Sequence, residues 1–137
     1  MYRRTLAELR HLLDSLDTAS VECDGMTRLV CTVLTKAGIE HQAYVGSVRI
    51  GDAAIPYHFW VEVGELLVDY RARMWMGSSP DIPHGIVPKR EVGNFYTGDP
   101  VEMPALPDAI FALLAAPWPD VEIEQAPEPS RKPAGMR

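Results

Sequence analysis

Two runs of strand-forming residues, Tyr57-His58-Phe59-Trp60-Val61-Glu62-Val63 and Leu66-Leu67-Val68-Asp69-Tyr70, stand with only Gly64-Glu65 between them. Aromatic and β-branched residues suit a pleated, half-buried surface. A two-residue connection beginning with Gly suits a primed turn, whose twist matches that of the flanking strands. The pattern predicts a β-hairpin and fixes its register: Val63 opposes Leu66, Trp60 opposes Asp69 and His58 opposes Arg71, because directly opposed residues share a face. Asp69 is then diagonal to His58, about 7–8 Å away between Cα atoms, a gap that an imidazole and a carboxylate close by leaning together. A slip of one residue would put the two on opposite faces.

Helical patterns precede the hairpin. From Thr5 to about Asp17, Leu6, Leu9, Leu12, Leu13 and Leu16 recur at helical spacing. Thr18-Ala19-Ser20 breaks this run, and a second helix is expected from about Cys23 to Ala37, with Met26, Leu29, Val30, Val33 and Leu34 on one face and Gly38 as the left-handed stop. Gln42 to Ile50 reads as a strand interrupted at Gly46, where a bulge or a close backbone approach is expected. Beyond Arg73, the residues Gly77, Pro80, Pro83, Gly85 and Pro88 predict irregular chain, with a short strand around Asn94-Phe95-Tyr96 and a closing helix from Asp108 to Ala115. The expected fold class is α+β, with N-terminal helices packed on a small antiparallel sheet.

A chain of 137 residues with 47% hydrophobic residues can bury one core without staples. That core is expected over residues 1–116, with residues 117–137, rich in Pro, Glu, Ser and Lys, as a mobile tail. The net charge of −6 offers no basic field for nucleic acid or an anionic membrane surface. No apolar stretch approaches the roughly 20 residues that cross a bilayer. The charged residues Arg3, Arg4, Glu8 and Arg10 stand where a signal peptide needs an apolar run, so a cytoplasmic location is expected. Cys23 and Cys31, eight residues apart on one helix, are separated by about 12 Å of rise. A disulfide needs Cα atoms within about 7 Å, so both are expected as free thiols.

Chemistry enters with the chain order Cys23, His58, Asp69: a cysteine at a helix start, a histidine on one strand and an aspartate on the next. A thiol needs a base to become a nucleophile, and the base needs a third group to fix its tautomer and steady its charged form. The unpaired N–H groups of a helix N-terminus favour an anion at the sulfur. Glu22 and Asp24 oppose this if they face the thiol, and the imidazolium of His58 is expected to outweigh them. The oxyanion of such a reaction would be met by the Cys23 backbone N–H, with either one further N–H or the indole of Trp60, in phase with His58, as the second candidate donor.

Cys23 heading a helix that ends in Ala37-Gly38-Ile39, the strand Tyr44-Val45-Gly46, then His58-Phe59-Trp60-Val61-Glu62-Val63 and Leu67-Val68-Asp69 together resemble the transglutaminase-like superfamily. Its pattern runs Cys, helix, Gly-Ile, strand, His-x-Trp-x-Glu, Asp. The resemblance covers about Val21 to Tyr70, and the arylamine N-acetyltransferases, which share the triad, are a more distant likeness. It implies a papain-like core with Cys23 as nucleophile, His58 as base and Asp69 as orienting carboxylate. It also implies thioester chemistry on a peptide, protein or small-molecule amide or ester, with transfer to water or an amine and no cofactor. Val21-Glu22-Cys23 is bulkier and more acidic than the family's usual approach to the cysteine, and the short chain leaves room for few substrate-binding additions.

Plainer readings stand beside these. A buried cysteine is usually a small hydrophobe, and Cys31, inside the helix, is expected to be structural. Trp60 fits a core position equally well. Asp69 also suits a strand-end carboxylate paired with Arg71 or Arg73. The run Tyr70 to Trp75 reads either as an anion site or, more simply, as a solvated edge anchored by Met74 and Trp75. His11 and His41 are expected at the surface, and His84 on a loop that could line a cleft. Two other functions compete with the enzyme: a catalytically silent binding or regulatory module of the same fold, and a divalent-metal site built from Cys23, His58 and Asp69, whose spacings match no familiar metal signature.

Overall fold

The computed structural model describes residues 5–117; of the tail expected over 117–137, Pro117 forms a β-bridge with Ala19, and residues 118–137 lie outside the described residues. The chain starts with α1 (Leu6–Leu13), opened by a capping box in which Thr5 Oγ1 accepts from the Glu8 N–H and Glu8 Oε1 accepts from the Thr5 N–H. The leucine pattern runs on past Leu13, but as a tighter 3₁₀ turn, Asp14–Thr18, that keeps Leu16 buried. After it, α2 (Cys23–Lys36) buries Met26, Leu29, Val30 and Leu34, and Gly38 ends it at φ +71°.

Five strands follow: β1 (Gln42–Ile50), β2 (Ala53–Val63), β3 (Leu66–Asp69), β4 (Gly85–Pro88) and β5 (Tyr96–Val101). They form one antiparallel sheet in the order β4-β3-β2-β1-β5. The hairpin has the expected register, with Val63 opposite Leu66 and Val61 opposite Val68, and Gly64 takes φ +56° in its turn. Short helices α3 (Ala72–Met76), α4 (Lys89–Val92) and α5 (Asp108–Ala115) complete the described chain. The mixture is α+β, as the helical and alternating patterns implied.

Alternation along the strands divides the interior in two. Val61, Val63 and Val68 join Leu9, Leu13, Leu29 and Val30 under α1 and α2. On the opposite face, Trp60, Leu67, Val48 and Tyr96 pack with Val92 of α4. Between Gly46 and Val48 the β1–β2 ladder shifts, so that Pro56 and Tyr57 of β2 stand against Ser47 alone. This bulge falls immediately before His58, where such features commonly re-aim a side chain. The close approach expected at Gly46 is also present, since a Cβ there would sit 2.0 Å from the carbonyl oxygen of Thr97 on β5.

The fold departs from the sequence reading around and beyond Arg73, where α3 and α4 are helical in chain read without helices. β4 falls within the segment read as irregular, and of Asn94-Phe95-Tyr96 only Tyr96 enters a strand, because Gly93–Phe95 forms a 3₁₀ turn. β5 then runs on through Thr97-Gly98-Asp99-Pro100, a turn-forming composition that pairing with β1 overrides. Pro100 is tolerated there because β5 is an edge strand, where a missing N–H breaks no ladder on the outer side.

Candidate active site

The β2–β3 ladder ends at Val61 and Val68. Past this point β2 continues with Phe59 and His58 while β3 turns away at Asp69, and the strands part. The start of α2 sits at the gap: Cys23 and Met26 line a small cleft together with Phe59 and Val61 from β2 and Val68 and Asp69 from β3. The cleft leaves about 10 Å³ for the centre of a water-sized group, enough for about one water. Cys23 is half-buried at the first position of the helix, so its side chain lies beside first-turn N–H groups that have no intrahelical acceptor.

His58 and Asp69 meet in the diagonal contact that the hairpin register allows. His58 Nε2 donates to Asp69 Oδ2 at 2.8 Å, with both side chains almost wholly buried. Burial by itself pulls the imidazole's pKa down. The hydrogen bond to Asp69 and the proximity of Asp69 and Cys23 outweigh it and push His58 up to about 9. His58 Nδ1 is buried and has no hydrogen-bond partner among the described residues. With Nε2 committed to Asp69, Nδ1 is the nitrogen left for the thiol.

Asp69 is held on all sides. Oδ1 accepts the backbone N–H groups of Arg71 at 2.9 Å and Ala72 at 3.0 Å, and Oδ2 accepts from Tyr96 Oη at 2.7 Å as well as from His58. The alternative reading of Asp69, a side-chain pairing with Arg71 or Arg73, does not form. Instead the Arg71 guanidinium turns toward the segment ahead of Cys23, donating to Asp17 Oδ1 and to the carbonyls of Asp17, Ala19 and Val21. Arg71 is 5% exposed, whereas Met74 and Trp75 are 42% and 56% exposed. The solvated-edge reading of Tyr70 to Trp75 is therefore reversed: the arginine is the anchor, and its saturated guanidinium offers no anion site.

No protein-family model matches this chain, and neither the curated proteins nor the solved structures hold a match to it.

The remaining candidates separate cleanly. The indole N–H of Trp60 donates to Glu62 Oε2 at 3.3 Å, and its ring packs between Tyr44 and Tyr96, with centroids 5.9 and 4.9 Å away. This corrects the expectation of an indole oxyanion donor, because the one N–H of the ring is already used and the ring belongs to the apolar cluster. Cys31 is 1% exposed and burial pushes its thiol up to about 12, as suits a core residue. His41, expected at the surface, is half-buried and bonded through Nδ1 to the Ile39 carbonyl at 2.8 Å. His84 Nε2 lies 2.7 Å from Asp17 Oδ2, on the carboxylate that Arg71 also holds.

For a metal, Cys23, His58 and Asp69 would have to converge on one point. Instead His58 lies between the other two, with one ring nitrogen bonded to the carboxylate, and the Asp69 oxygens are filled by four donors. Among the described residues no group of three His, Cys, Asp or Glu side chains is arranged to hold a metal ion, and no helix is long and apolar enough to cross a membrane.

Proposed function

We propose that this protein is a cysteine-nucleophile enzyme of transglutaminase-like type, with a papain-like core, acting on an amide or ester through a thioester. The observation that carries the reading is His58, hydrogen-bonded through Nε2 to Asp69 and near enough to Cys23 for both groups to hold its pKa up at about 9. An imidazole that stays protonated at neutral pH beside a thiol is the partner a sulfur nucleophile requires.

In this reading His58 Nδ1 already holds the Cys23 proton, as an imidazolium beside the sulfur anion, when Sγ attacks the carbonyl carbon. Asp69 holds the resulting imidazolium through Nε2, and first-turn N–H groups of α2, that of Cys23 first, face the developing oxyanion. Collapse of the tetrahedral species returns the proton from Nδ1 to the leaving amine or alcohol and leaves a thioester on Sγ. Water or an amine, deprotonated by the same nitrogen, then takes the acyl group and restores the thiol. The substrate is a peptide, a protein or a small amide or ester, the setting is cytoplasmic, and no cofactor is required.

The narrow cleft favours a second reading, a catalytically silent binding or regulatory module of the same fold, because a substrate acyl group would have to open the site to reach Sγ. Iodoacetamide alkylation across pH, on wild type and the Cys23→Ala, Cys31→Ala and His58→Ala variants, separates the two. The enzyme reading requires Cys23 to react near pH 6 roughly 100-fold faster than an ordinary thiol, and to lose that advantage in His58→Ala. Slow reaction of Cys23, unaffected by His58, selects the silent module. A screen of amide, ester and acyl-CoA donors then identifies the acyl group.

A further inference from the structure

Tyr96 lies 27 residues beyond Asp69 and opens the edge strand on the far side of the sheet, yet its hydroxyl donates to Asp69 Oδ2 at 2.7 Å. That oxygen also receives the His58 N–H at 2.8 Å. Resting on the proposed reading of Cys23, His58 and Asp69, we infer that Tyr96 is a positioning residue for the site: by sharing Asp69 Oδ2 with His58, it fixes the plane of the carboxylate and moderates its hold on the imidazolium.

A carboxylate oxygen has two lone pairs in its plane, and here each has a donor. The other oxygen accepts two backbone N–H groups, so turning the Asp69 carboxylate about its side-chain bond would disturb all four contacts. Tyr96 is itself rigidly set. Its ring meets that of Trp60 edge-on at 4.9 Å, its backbone pairs with Val48, and it is 9% exposed. A phenol buried this far must find an acceptor or bear a desolvation cost. The acceptor it finds is the acid of the proposed site. Burial, and then the Asp69 charge, raise the pKa of Tyr96 above the ordinary phenol range, so the hydroxyl remains a donor wherever the site would work.

The consequence for His58 has a definite sign. Charge density drawn from Oδ2 by Tyr96 is withheld from the His58 N–H, so removing the hydroxyl strengthens the carboxylate's grip on the imidazolium and raises the His58 pKa. The groups bearing on His58 are Cys23 from α2 and Asp69 from β3, with Tyr96 from β5 acting through Asp69, while the Arg71 charge is directed to Asp17. A more tightly held proton is also harder to deliver to a leaving group. Acyl transfer is therefore expected to slow by about two- to threefold in Tyr96→Phe.

The test follows the His58 imidazole by NMR titration in the full-length chain, comparing wild type with Tyr96→Phe and Tyr44→Phe. Tyr44 stacks on the same Trp60 in the same cluster, so its variant reports packing changes alone. The expected result is a midpoint raised by about half a unit in Tyr96→Phe and unmoved in Tyr44→Phe. An unmoved midpoint in a folded Tyr96→Phe overturns the inference, as does an equal shift in both variants. Should Tyr96→Phe fail to fold, the wild-type chain decides. A slowly exchanging Tyr96 hydroxyl proton whose shift follows the His58 titration supports the coupling, and rapid exchange with solvent overturns it. Neither readout depends on catalysis. A raised midpoint with an unreactive Cys23 keeps the coupling and removes the enzyme reading, whereas a reactive Cys23 with an unmoved midpoint does the reverse.

Discussion

Arg71 Nε donates to the Val21 carbonyl at 2.7 Å, two residues ahead of Cys23, while the backbone N–H of the same arginine donates to Asp69 Oδ1 at 2.9 Å. One residue thus links the approach to the thiol with the carboxylate behind the imidazole. A second layer reinforces it: Asp17, which accepts from Arg71 Nη1, also meets His84 Nε2, and Tyr70 donates to Asp14 in the same 3₁₀ turn.

Replacing Arg71 is expected to loosen this link. In Arg71→Met, the carbonyls of Ala19 and Val21 lose buried donors while the backbone bond to Asp69 remains possible, so the cost should be about 2–4 kcal/mol of stability. Denaturant unfolding measures it. Arg71→Lys should recover only part of the loss, since one ammonium cannot reproduce the forked contacts to Asp17, Ala19 and Val21. Full recovery by lysine would show that charge rather than geometry is what matters at this position.

Stability should depend on pH through His58. Its folded-state pKa of about 9 lies above the unfolded 6.5, so the folded chain holds a proton that the unfolded chain releases first. The contribution is therefore fully present below pH 6.5 and is lost as pH rises through about 9, a change of roughly 3 kcal/mol. Urea unfolding of wild type and His58→Gln at intervals from pH 6 to 9.5 checks it. The difference between the two curves should shrink with rising pH, and a constant difference would contradict the raised pKa.

Cys31 should resist alkylation in the native state, because the thiol is buried and its pKa is pushed up to about 12. Its modification then requires opening of the core, so its rate should follow global unfolding and rise with sub-denaturing urea. Mass spectrometry of the two cysteine peptides after timed labelling distinguishes this from direct attack, which would show no urea dependence.

Gly46→Ala should be among the more damaging single-methyl additions. The new Cβ would meet the Thr97 carbonyl oxygen at 2.0 Å and the Gly98 Cα at 2.4 Å, both backbone atoms of the neighbouring strand. Neither can swing aside as a side chain would, so β1 and β5 must separate, at a cost of about 3 kcal/mol or more. Tyr96 opens β5 and His58 pairs with Gly46, so thermal unfolding and His58 titration should both change in this variant.

The hairpin was legible because period-2 alternation, a two-residue turn and the parity of opposed positions are local properties of sequence. They were enough to bring His58 and Asp69 onto one face and to place Cys23 at the head of its helix. Tyr96 was not legible: it stands in Asn94-Phe95-Tyr96-Thr97-Gly98-Asp99-Pro100, whose composition reads as a turn, and its partner is 27 residues away. The role of Arg71 was hidden for a related reason, since five of its hydrogen bonds go to residues 17–21 and to its own neighbour Tyr70, and nothing in Tyr70-Arg71-Ala72-Arg73 marks one arginine as buried and the other as partly exposed. Trp60, in phase with His58 by alternation, proved to be core because Glu62 takes its N–H and Tyr44 and Tyr96 enclose its ring.

By itself, then, the sequence determined the two N-terminal helices, the closing helix and the central hairpin, the face His58 and Asp69 share, and the helix position of Cys23, because backbone periodicity and turn chemistry act over a few residues. Tertiary structure decided where the head of α2 meets the gap between β2 and β3, and which distant donors complete the Asp69 carboxylate. Those contacts depend on which strand pairs with β1 and where β3 leaves the sheet, and a buried charge takes its partners from whatever the packed chain brings within reach.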